Sequence, residues 1–212
     1  NTLYAHQPIR TCCKLCESHL TAEDDFNSHG VEYVFCDKCG HLNGRFEDTE
    51  EFVNKLYIKD QGAEYTKNYL DTGYEERVDS VYIPKVDFLT QNLPSKPYSV
   101  LDIGCGAGYF VAACKLRNIE SSGIDVSEIM VSYGNDQLRL LIGSAHLLKA
   151  VSENKLVDEV VNTSANVVSA IGVIEHLRNP HSLFNAFEKS DAEYLYYSVP
   201  MFSVSAVLEN VF

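Results

Sequence analysis

Residues 99–116 constrain the fold of this chain more than any other part of the sequence. They begin with the short apolar run Ser99–Ile103, whose length and composition are typical of a buried strand. Three glycines follow at alternate positions, and an apolar segment with helical potential then runs over Tyr109–Leu116. A strand, a tight glycine-rich turn and a helix in this order predict a doubly wound sheet, in which ligands bind at the carboxyl edge of the strands.

The glycines have the spacing G-x-G-x-G, and Asp102 lies two residues before the first of them. Glycine suits such a turn because a side chain would keep a ligand away from the backbone. The dinucleotide pattern G-x-G-x-x-G would need a further glycine where this chain has Tyr109. A second short strand ends at Asp125, and a carboxylate there suits a ribose because it can accept hydrogens from both hydroxyls.

Three motifs resemble those of the class I methyltransferases that use S-adenosylmethionine (SAM). They are LDIGCGAG at 101–108, IDVS at 124–127 and VIEHL at 173–177, and they occur in the family's order. The resemblance implies a Rossmann-like fold, SAM as the cofactor and methyl transfer as the activity. An NAD-binding or otherwise inert Rossmann domain would account for the glycines but not for the Glu-His motif.

By this resemblance, the glycine loop and its acids hold the cofactor. Asp102 and the loop backbone would hold the methionine portion, Asp125 the ribose hydroxyls, and Val126 would pack on the adenine. An acid often follows the family's third strand and contacts the adenine amine; we predict that strand at 138–142, which puts Ser144 at this position. The implied cofactor-binding residues are Asp102, Gly104, Cys105, Gly106, Gly108, Asp125, Val126 and Ser144.

Glu175 and His176 follow the predicted fourth strand, so we expect both at the ligand edge of the sheet. Histidine titrates near neutral pH and can act as a general base, and Glu175 could orient it. Alternatively, Glu175 caps the following turn and His176 packs beneath the loop.

Three tyrosines, Tyr65, Tyr69 and Tyr74, lie in a segment before the sheet. They either pack in the core or, by resemblance to methyltransferases with an N-terminal zinc ribbon, fold over the active site. In the second case Tyr65 or Tyr69 would touch the cofactor or the substrate. The candidate catalytic residues are therefore His176, Glu175 and Tyr69.

Two C-x-x-C pairs near the N-terminus predict a zinc ribbon. Each pair can supply two thiolates from a tight turn to a tetrahedral Zn²⁺ ion, and the predicted ligands are Cys13, Cys16, Cys36 and Cys39. A closed four-thiolate site has no open position, so we expect a structural zinc. A redox role is disfavoured because neither pair lies between a strand and a helix.

Other ligands of this zinc are possible, since Cys12 could replace Cys13, and His19 or His41 could substitute for a cysteine. The ribbon itself can be a stabilising cap, or it can form a lid or wall over the substrate.

We predict three parts: a zinc ribbon at 1–48, a helical connector at 49–97 and a Rossmann-like methyltransferase domain at 98–212. Pro84 is expected to kink or break the second connector helix. In the last part, strands predicted near 99–103, 119–124, 138–142, 166–172 and 194–199 alternate with helices, which predicts an α/β fold with a parallel sheet. The family's sheet has seven strands and this sequence ends after the fifth, so we expect the C-terminal strands to be missing and the domain to be incomplete.

Composition limits the partners. The 212 residues have a formal net charge of −13 and no Lys/Arg-rich run, which disfavours nucleic acid. No apolar run is long enough to span a membrane, and the N-terminus lacks a signal-peptide pattern. An odd number of cysteines, seven, then favours thiols and a metal over disulfides, so we expect a cytoplasmic protein.

The zinc ribbon, the tyrosine segment and the Glu-His motif together resemble enzymes that methylate sugars, often nucleotide-linked ones. We therefore predict a small-molecule methyl acceptor, with methylation at carbon or at oxygen left open. One alternative is a zinc-ribbon RNA methyltransferase. Another is a non-catalytic interaction module on a degenerate scaffold, favoured by Ser144 and by Asn166, which stand where the family commonly has Asp.

Overall fold

A computed structural model of the chain describes residues 4–21, 26–28, 30–53 and 73–199. In this part of the chain, a three-stranded antiparallel sheet comes first and a five-stranded parallel sheet follows. No helix in the described ranges is both long and apolar enough to cross a bilayer.

The N-terminal sheet contains β1 (Phe26–Ser28), β2 (Val31–Phe35) and β3 (Leu42–Gly44), with β2 in the centre. β2 lies between the two cysteine pairs and leads into the second one. Its core is small and consists of Cys13, Leu20, Val34 and Cys36. So little apolar burial cannot stabilise a fold by itself, which is the situation in which small domains use a metal.

The connector is helical where it is described. It begins with α1 (Glu50–Val53), and after residue 72 it continues as α2 (Tyr74–Arg77), a π-helical turn (Val78–Tyr82) and α3 (Ile83–Asn92) without a break. Pro84 lies in the first turn of α3, directly after the π turn. The wider turn accommodates the proline, whose ring and missing N–H would disrupt a regular helix.

The main sheet confirms the predicted doubly wound fold. Its strands are β4 (Ser99–Ile103), β5 (Glu120–Asp125), β6 (Leu148–Ala150), β7 (Val167–Ile171) and β8 (Tyr194–Ser198), all parallel, in the spatial order β6-β5-β4-β7-β8. The helices between them are α4 (Tyr109–Leu116), α5 (Glu128–Ile142), α6 (Glu153–Val161) and α7 (Pro180–Glu188). A short 3-10 turn, Ile174–His176, follows β7.

Two apolar layers cover the two faces of this sheet. One contains Val100 and Val167 with the buried sides of α3, α4 and α5. The other contains Leu101 and Val168 with those of α6 and α7. Adjacent residues of one strand thus enter opposite layers, and the apolar strand runs in the sequence follow from burial on both faces.

The predicted third strand at 138–142 is wrong, because these residues form the end of α5. Leu138 is fully buried whereas Leu140 is 75% exposed, although both would lie on the same face of a strand. A short apolar run fits a strand and a buried helix segment equally well, and here the helix continues from its Ser127 N-cap. The third strand is Leu148–Ala150, further along the chain.

The predicted part boundaries at 1–48, 49–97 and 98–212 remain a prediction. The described elements fit them, with the small sheet in the first part, α1 to α3 in the second and the parallel sheet in the third.

Gly134 allows α5 to lie directly against the glycine loop. A Cβ atom at this position would lie 2.5 Å from the Ala107 carbonyl oxygen and 2.5 Å from the Leu148 side chain. We expect Gly134→Ala to lower the free energy of unfolding by about 1–3 kcal/mol, since a fixed backbone oxygen cannot give way. Urea unfolding would measure the change, and Ser132→Ala, at an exposed position of the same helix, is the control. A stabilised Gly134→Ala variant, reflecting only the higher helix propensity of alanine, would contradict this prediction.

Candidate functional site

A cavity of about 400 Å³ opens at the carboxyl edge of the parallel sheet, a size typical of ligand sites. One wall is the loop after β4, with Asp102, Gly104, Cys105 and Gly106. The opposite walls come from α3, the ends of β7 and β8, and the 3-10 turn. The cavity thus lies where the topology of a doubly wound sheet predicts a ligand site.

The glycine loop has three residues in the left-handed region, with φ of +63° at Gly104, +53° at Gly106 and +72° at Gly108. A side chain at Gly104 would collide with Val173, and one at Gly108 with Leu148. At Gly106 the nearest side-chain atom would be 3.7 Å away, on Met130. Two glycines are therefore needed for packing, and Gly106 leaves open space beside the cavity.

Asp125 anchors this loop from behind. Its two carboxylate oxygens accept hydrogen bonds from the backbone N–H groups of Gly106 and Ser127, each at 2.8 Å. Burial raises the pKa of Asp125, while these backbone hydrogen bonds oppose the rise. The carboxyl group that ends β5 is thus tied to the middle glycine of the loop after β4.

Asp102 ends up almost completely buried on the cavity wall, with 3% exposure. Its carboxylate accepts a 2.6 Å hydrogen bond from the Ser169 hydroxyl on β7. Burial raises the pKa of Asp102 to about 7, and the charge of Asp125 adds to the rise while the Ser169 bond opposes it. Within the described residues Asp102 forms no ion pair, so a positively charged ligand group beside it would lower the cost of its ionisation.

The 3-10 turn after β7 brings Glu175 to the cavity, as the sequence predicts for the ligand edge. The Oε2 atom of Glu175 is buried and has no hydrogen-bond partner in the described part of the chain. Its Oε1 atom lies 3.9 Å from Nε2 of His176. The His176 side chain is 48% exposed and lies outside the cavity lining, so the structure brings only Glu175 of this pair to the wall.

Several predicted site residues lie away from the cavity. Gly108 caps α4, Val126 packs into the layer of α6 and α7, and Ser144 follows the C-cap of α5. Ser144 was predicted beside the adenine because it would follow the third strand. It follows a helix instead, so this position no longer supports that prediction. Tyr65 and Tyr69 lie outside the described residues.

Val151 and Ser152 follow the real third strand, and Val151 donates a backbone hydrogen bond to the Asp125 carbonyl at 2.9 Å. Asn166 is at the opposite edge of the sheet, where its side chain accepts a hydrogen bond from the backbone of Ser99. The asparagine at this position thus joins two strands away from the ligand edge.

Sequence reasoning missed the wall contributed by the connector helix. Tyr82 and Lys85 line the cavity there, and the Tyr82 ring stacks on Tyr109 with centroids 5.3 Å apart. Tyr74 also stacks on Tyr109, with centroids 4.6 Å apart, and donates from its hydroxyl to the Ala107 carbonyl, so core packing is its role. No motif marks these residues, because only the docking of α3 on the loop brings them to the site.

The four predicted zinc ligands meet in the N-terminal sheet. The sulfur atoms of Cys13, Cys16, Cys36 and Cys39 all lie within 4.8 Å of one another. Two of the separations are 3.7 Å (Cys13 to Cys39) and 3.4 Å (Cys16 to Cys36), close to the edge of about 3.8 Å of a tetrahedron with 2.3 Å Zn–S bonds.

The chemistry of the cluster also suits a cation. Hydrogen bonding by Ser18 lowers the pKa of the Cys16 thiol to about 6, whereas burial and the neighbouring sulfurs raise the pKa of Cys39 to about 12, so a cation is needed for all four to be thiolates. The buried Asn43 side chain donates towards the Cys13 sulfur at 3.6 Å. Cys12, His19 and His41, the alternative ligands, are not in the cluster.

The strand order, the glycine loop and the two acids together define the fold of the class I SAM-dependent methyltransferases. Residues 74–204, more than half of the chain, match the family described as "Methyltransferase domain". The chain belongs to this family.

Individual relatives are distant. The chain is 28% identical over 103 residues to the ubiquinone biosynthesis O-methyltransferase of Dechloromonas aromatica (strain RCB), over 48% of this chain and 43% of that protein. The magnesium protoporphyrin IX methyltransferase (ChlM) of Synechocystis PCC 6803 with bound SAH is similar in structure, with a TM-score of 0.53 and 16% identity over 77% and 78% of the two chains. The plantazolicin methyltransferase BamL, in complex with a substrate analogue and SAH, has a TM-score of 0.48 and 19% identity over 64% and 50%. The chain thus spans less than half of that curated relative and half of BamL.

The burial of Asp102 predicts a pH dependence of stability. Its folded pKa, about 7, is above the unfolded value of about 3.9, so the folded state holds an extra proton between these values and loses stability as pH rises through this range. We expect Asp102→Asn to gain about 2–3 kcal/mol of unfolding free energy relative to wild type between pH 5 and pH 8. Urea unfolding of the ligand-free protein at several pH values would measure it. Asp136→Asn, at an exposed acid, is the control, and parallel pH profiles of Asp102→Asn and wild type would refute the prediction.

Proposed function

We propose that this chain is a SAM-dependent methyltransferase that acts on a small-molecule acceptor. One observation carries the proposal: Asp125 ties Gly106 at the cavity edge, and the buried Asp102 faces the same cavity. Family membership adds that such a site belongs to methyl transfer and not to another nucleotide chemistry.

The residues present fit SAM. A ligand can approach the backbone at Gly106, where even an added Cβ would meet nothing closer than 3.7 Å. Two carboxyl groups on the wall, Asp102 and Glu175, suit the ammonium and sulfonium charges of SAM. The resemblance assigns the methionine portion to Asp102 and residues 104–108, the ribose to Asp125 and the adenine to Val126. The position expected beside the adenine amine moves from Ser144 to Val151 and Ser152.

SAM, when bound, supplies an electrophilic methyl group. The chain has to place the acceptor in line with it and, where needed, remove a proton, and positioning alone can contribute about 7–11 kcal/mol at best. Glu175 has a buried oxygen without a partner in the described residues, so it can accept a hydrogen bond from an acceptor hydroxyl or amine. His176, whose side chain lies beside Glu175 but outside the cavity lining, is still proposed as the base, and Tyr69 as a contact to substrate or cofactor.

We further propose that the acceptor is a sugar or a nucleotide-linked sugar in the cytoplasm. The support is the combination of ribbon, tyrosine segment and Glu-His motif. RNA is a weaker candidate, because the net charge is −13 and two basic side chains of the ribbon, Arg10 and Lys14, already bind Asp48. Transfer of label from SAM to a panel of nucleotide-linked sugars, run beside unfractionated RNA, would separate the two.

The cysteine cluster is proposed to hold a structural Zn²⁺ through Cys13, Cys16, Cys36 and Cys39. The four sulfurs form a closed set, which leaves no position for substrate. The small core around them explains why a metal is needed for this sheet to fold.

Calorimetric titration with S-adenosylhomocysteine (SAH), repeated with NAD, tests the cofactor. We expect micromolar binding of SAH and no binding of NAD. Asp125→Ala should weaken SAH binding by at least about tenfold, because both the ribose acceptor and the anchor of Gly106 are lost. Asp136→Ala, at an exposed acid of α5, should bind like wild type. Tight NAD binding, or unchanged SAH affinity in Asp125→Ala, would argue against the proposed site.

Metal analysis by mass spectrometry tests the ribbon. We expect one zinc per chain in the purified protein and a loss of most of it in Cys36→Ser, with unfolding of the ribbon, because Cys36 supplies one of the four sulfurs and part of the small core. Cys12→Ser is the matched control, since Cys12 is exposed and outside the cluster, and it should keep its zinc. Full zinc content in Cys36→Ser would be incompatible with this ligand set.

A further inference from the structure

We propose that Lys14, in the first knuckle of the cysteine cluster, is a positioning residue for the turn that carries Glu175. The knuckle (residues 13–16) thereby forms part of the support of the cavity, and the metal cluster is coupled to the geometry of the site. The inference rests on the proposed function only in taking this cavity as the active site.

Lys14 connects the ribbon directly to the turn. Its ammonium nitrogen donates to the Glu175 carbonyl oxygen at 3.3 Å and to the Asp48 carboxylate at 2.9 Å. The side chain is only 13% exposed, so these bonds form largely out of solvent. A charged donor on the Glu175 carbonyl fixes the backbone from which the Glu175 side chain reaches the cavity.

Asp48 holds Lys14 in place from inside the ribbon. The guanidinium of Arg10, 7% exposed, donates to Asp48 at 2.9 Å and also to the carbonyl oxygens of Gly44 and Phe46. Lys14 is therefore oriented by a network that is anchored on the buried Arg10, and it does not reach the turn as a loose surface side chain.

A second contact attaches the knuckle to the other end of the same segment. Nε2 of His181, at the start of α7, lies 2.6 Å from the carbonyl oxygen of Leu15. Since a carbonyl oxygen only accepts, this ring nitrogen must carry the hydrogen. Residues 175 and 181, on either side of the loop between the turn and α7, are thus both bound to adjacent knuckle residues.

The metal cluster determines the shape of the knuckle. Lys14 and Leu15 lie between the ligands Cys13 and Cys16, and the Lys14 backbone N–H donates to Asn43, which also faces the Cys13 sulfur. A metal ion held by all four sulfurs would fix the loop between Cys13 and Cys16, and with it the Lys14 ammonium and the Leu15 carbonyl. Loss of the metal would release both contacts to the turn.

Loss of the knuckle contacts should affect one side of the cavity and not the other. In the described part of the chain, the hydrogen bonds of Gly106, Asp102 and Asp125 run to β5, β7 and the start of α5, and none of them reaches the knuckle. Loosening the turn should therefore affect Glu175 and leave the cofactor side of the cavity intact.

Amide hydrogen exchange measures directly how firmly Lys14 holds the turn. The amides of His176 and Leu177 are bonded to the carbonyls of Val173 and Ile174, so their exchange reports the integrity of the turn. We expect Lys14→Met to accelerate exchange in peptides over 173–178 by about tenfold, while zinc content and SAH affinity stay at wild-type values. Lys14→Arg should restore most of the protection, because it keeps the charge and the donors. Lys38→Met, at an exposed lysine of the second knuckle, should behave like wild type.

Chelation of zinc from the wild-type protein should accelerate exchange in the same peptides by at least as much as Lys14→Met does, because it also releases the Leu15 contact with His181. Unchanged exchange in Lys14→Met with its zinc retained would overturn the proposal, as would acceleration spread evenly over the whole parallel sheet. If the wild-type protein binds no SAH, the proposed function fails, but the exchange comparison still decides whether the knuckle holds the turn.

Discussion

Two carboxyl groups near the ends of adjacent parallel strands, those of the buried Asp102 and the half-buried Asp125, are the constraint on which the rest of the site depends. Asp102 and Asp125 end up at one edge of the sheet because β4 and β5 are paired in register, with Asp102 opposite Gly123. Asp125 accepts hydrogen bonds from two backbone N–H groups, which stabilise its negative charge. The bond from Gly106 also holds the glycine loop, whose glycines have left-handed backbone conformations. Among the described residues, the carboxylate of Asp102 has one hydrogen-bond donor, the Ser169 hydroxyl, so its burial costs stability that a cationic ligand would offset.

The N-terminal sheet takes part in this arrangement although it has its own small core. Its first knuckle contacts the turn after β7 and the start of α7. An ion pair between Glu50 and Arg178, at 3.6 Å, lies along the same junction. These contacts attach the ribbon to the turn that carries Glu175, although no described ribbon residue lines the cavity itself.

Much of the fold could be predicted because short-range patterns and long-range packing agree. The apolar runs at β4 and β7 are buried on both faces, and the glycines at 104 and 108 are required by contacts with Val173 and Leu148. The prediction failed at 138–142, where one apolar run fits two structures and only the continuation of α5 decides between them. Ser144 was placed beside the adenine through that error. The roles of Glu175, His176 and Tyr69 remain predictions.

The sequence by itself determined the class of the molecule. Its evidence was local: the glycine loop, Asp102 just before that loop, Asp125 at the end of the second strand, and the four cysteines. The chemistry of each of these patterns fits few functions. The tertiary structure decided which side chains share the cavity. Tyr82 and Lys85 reach it through the docking of α3, and Lys14 reaches Glu175 across more than half of the chain. Such contacts depend on how separate elements pack against each other, and the spacing of residues within one segment does not predict them.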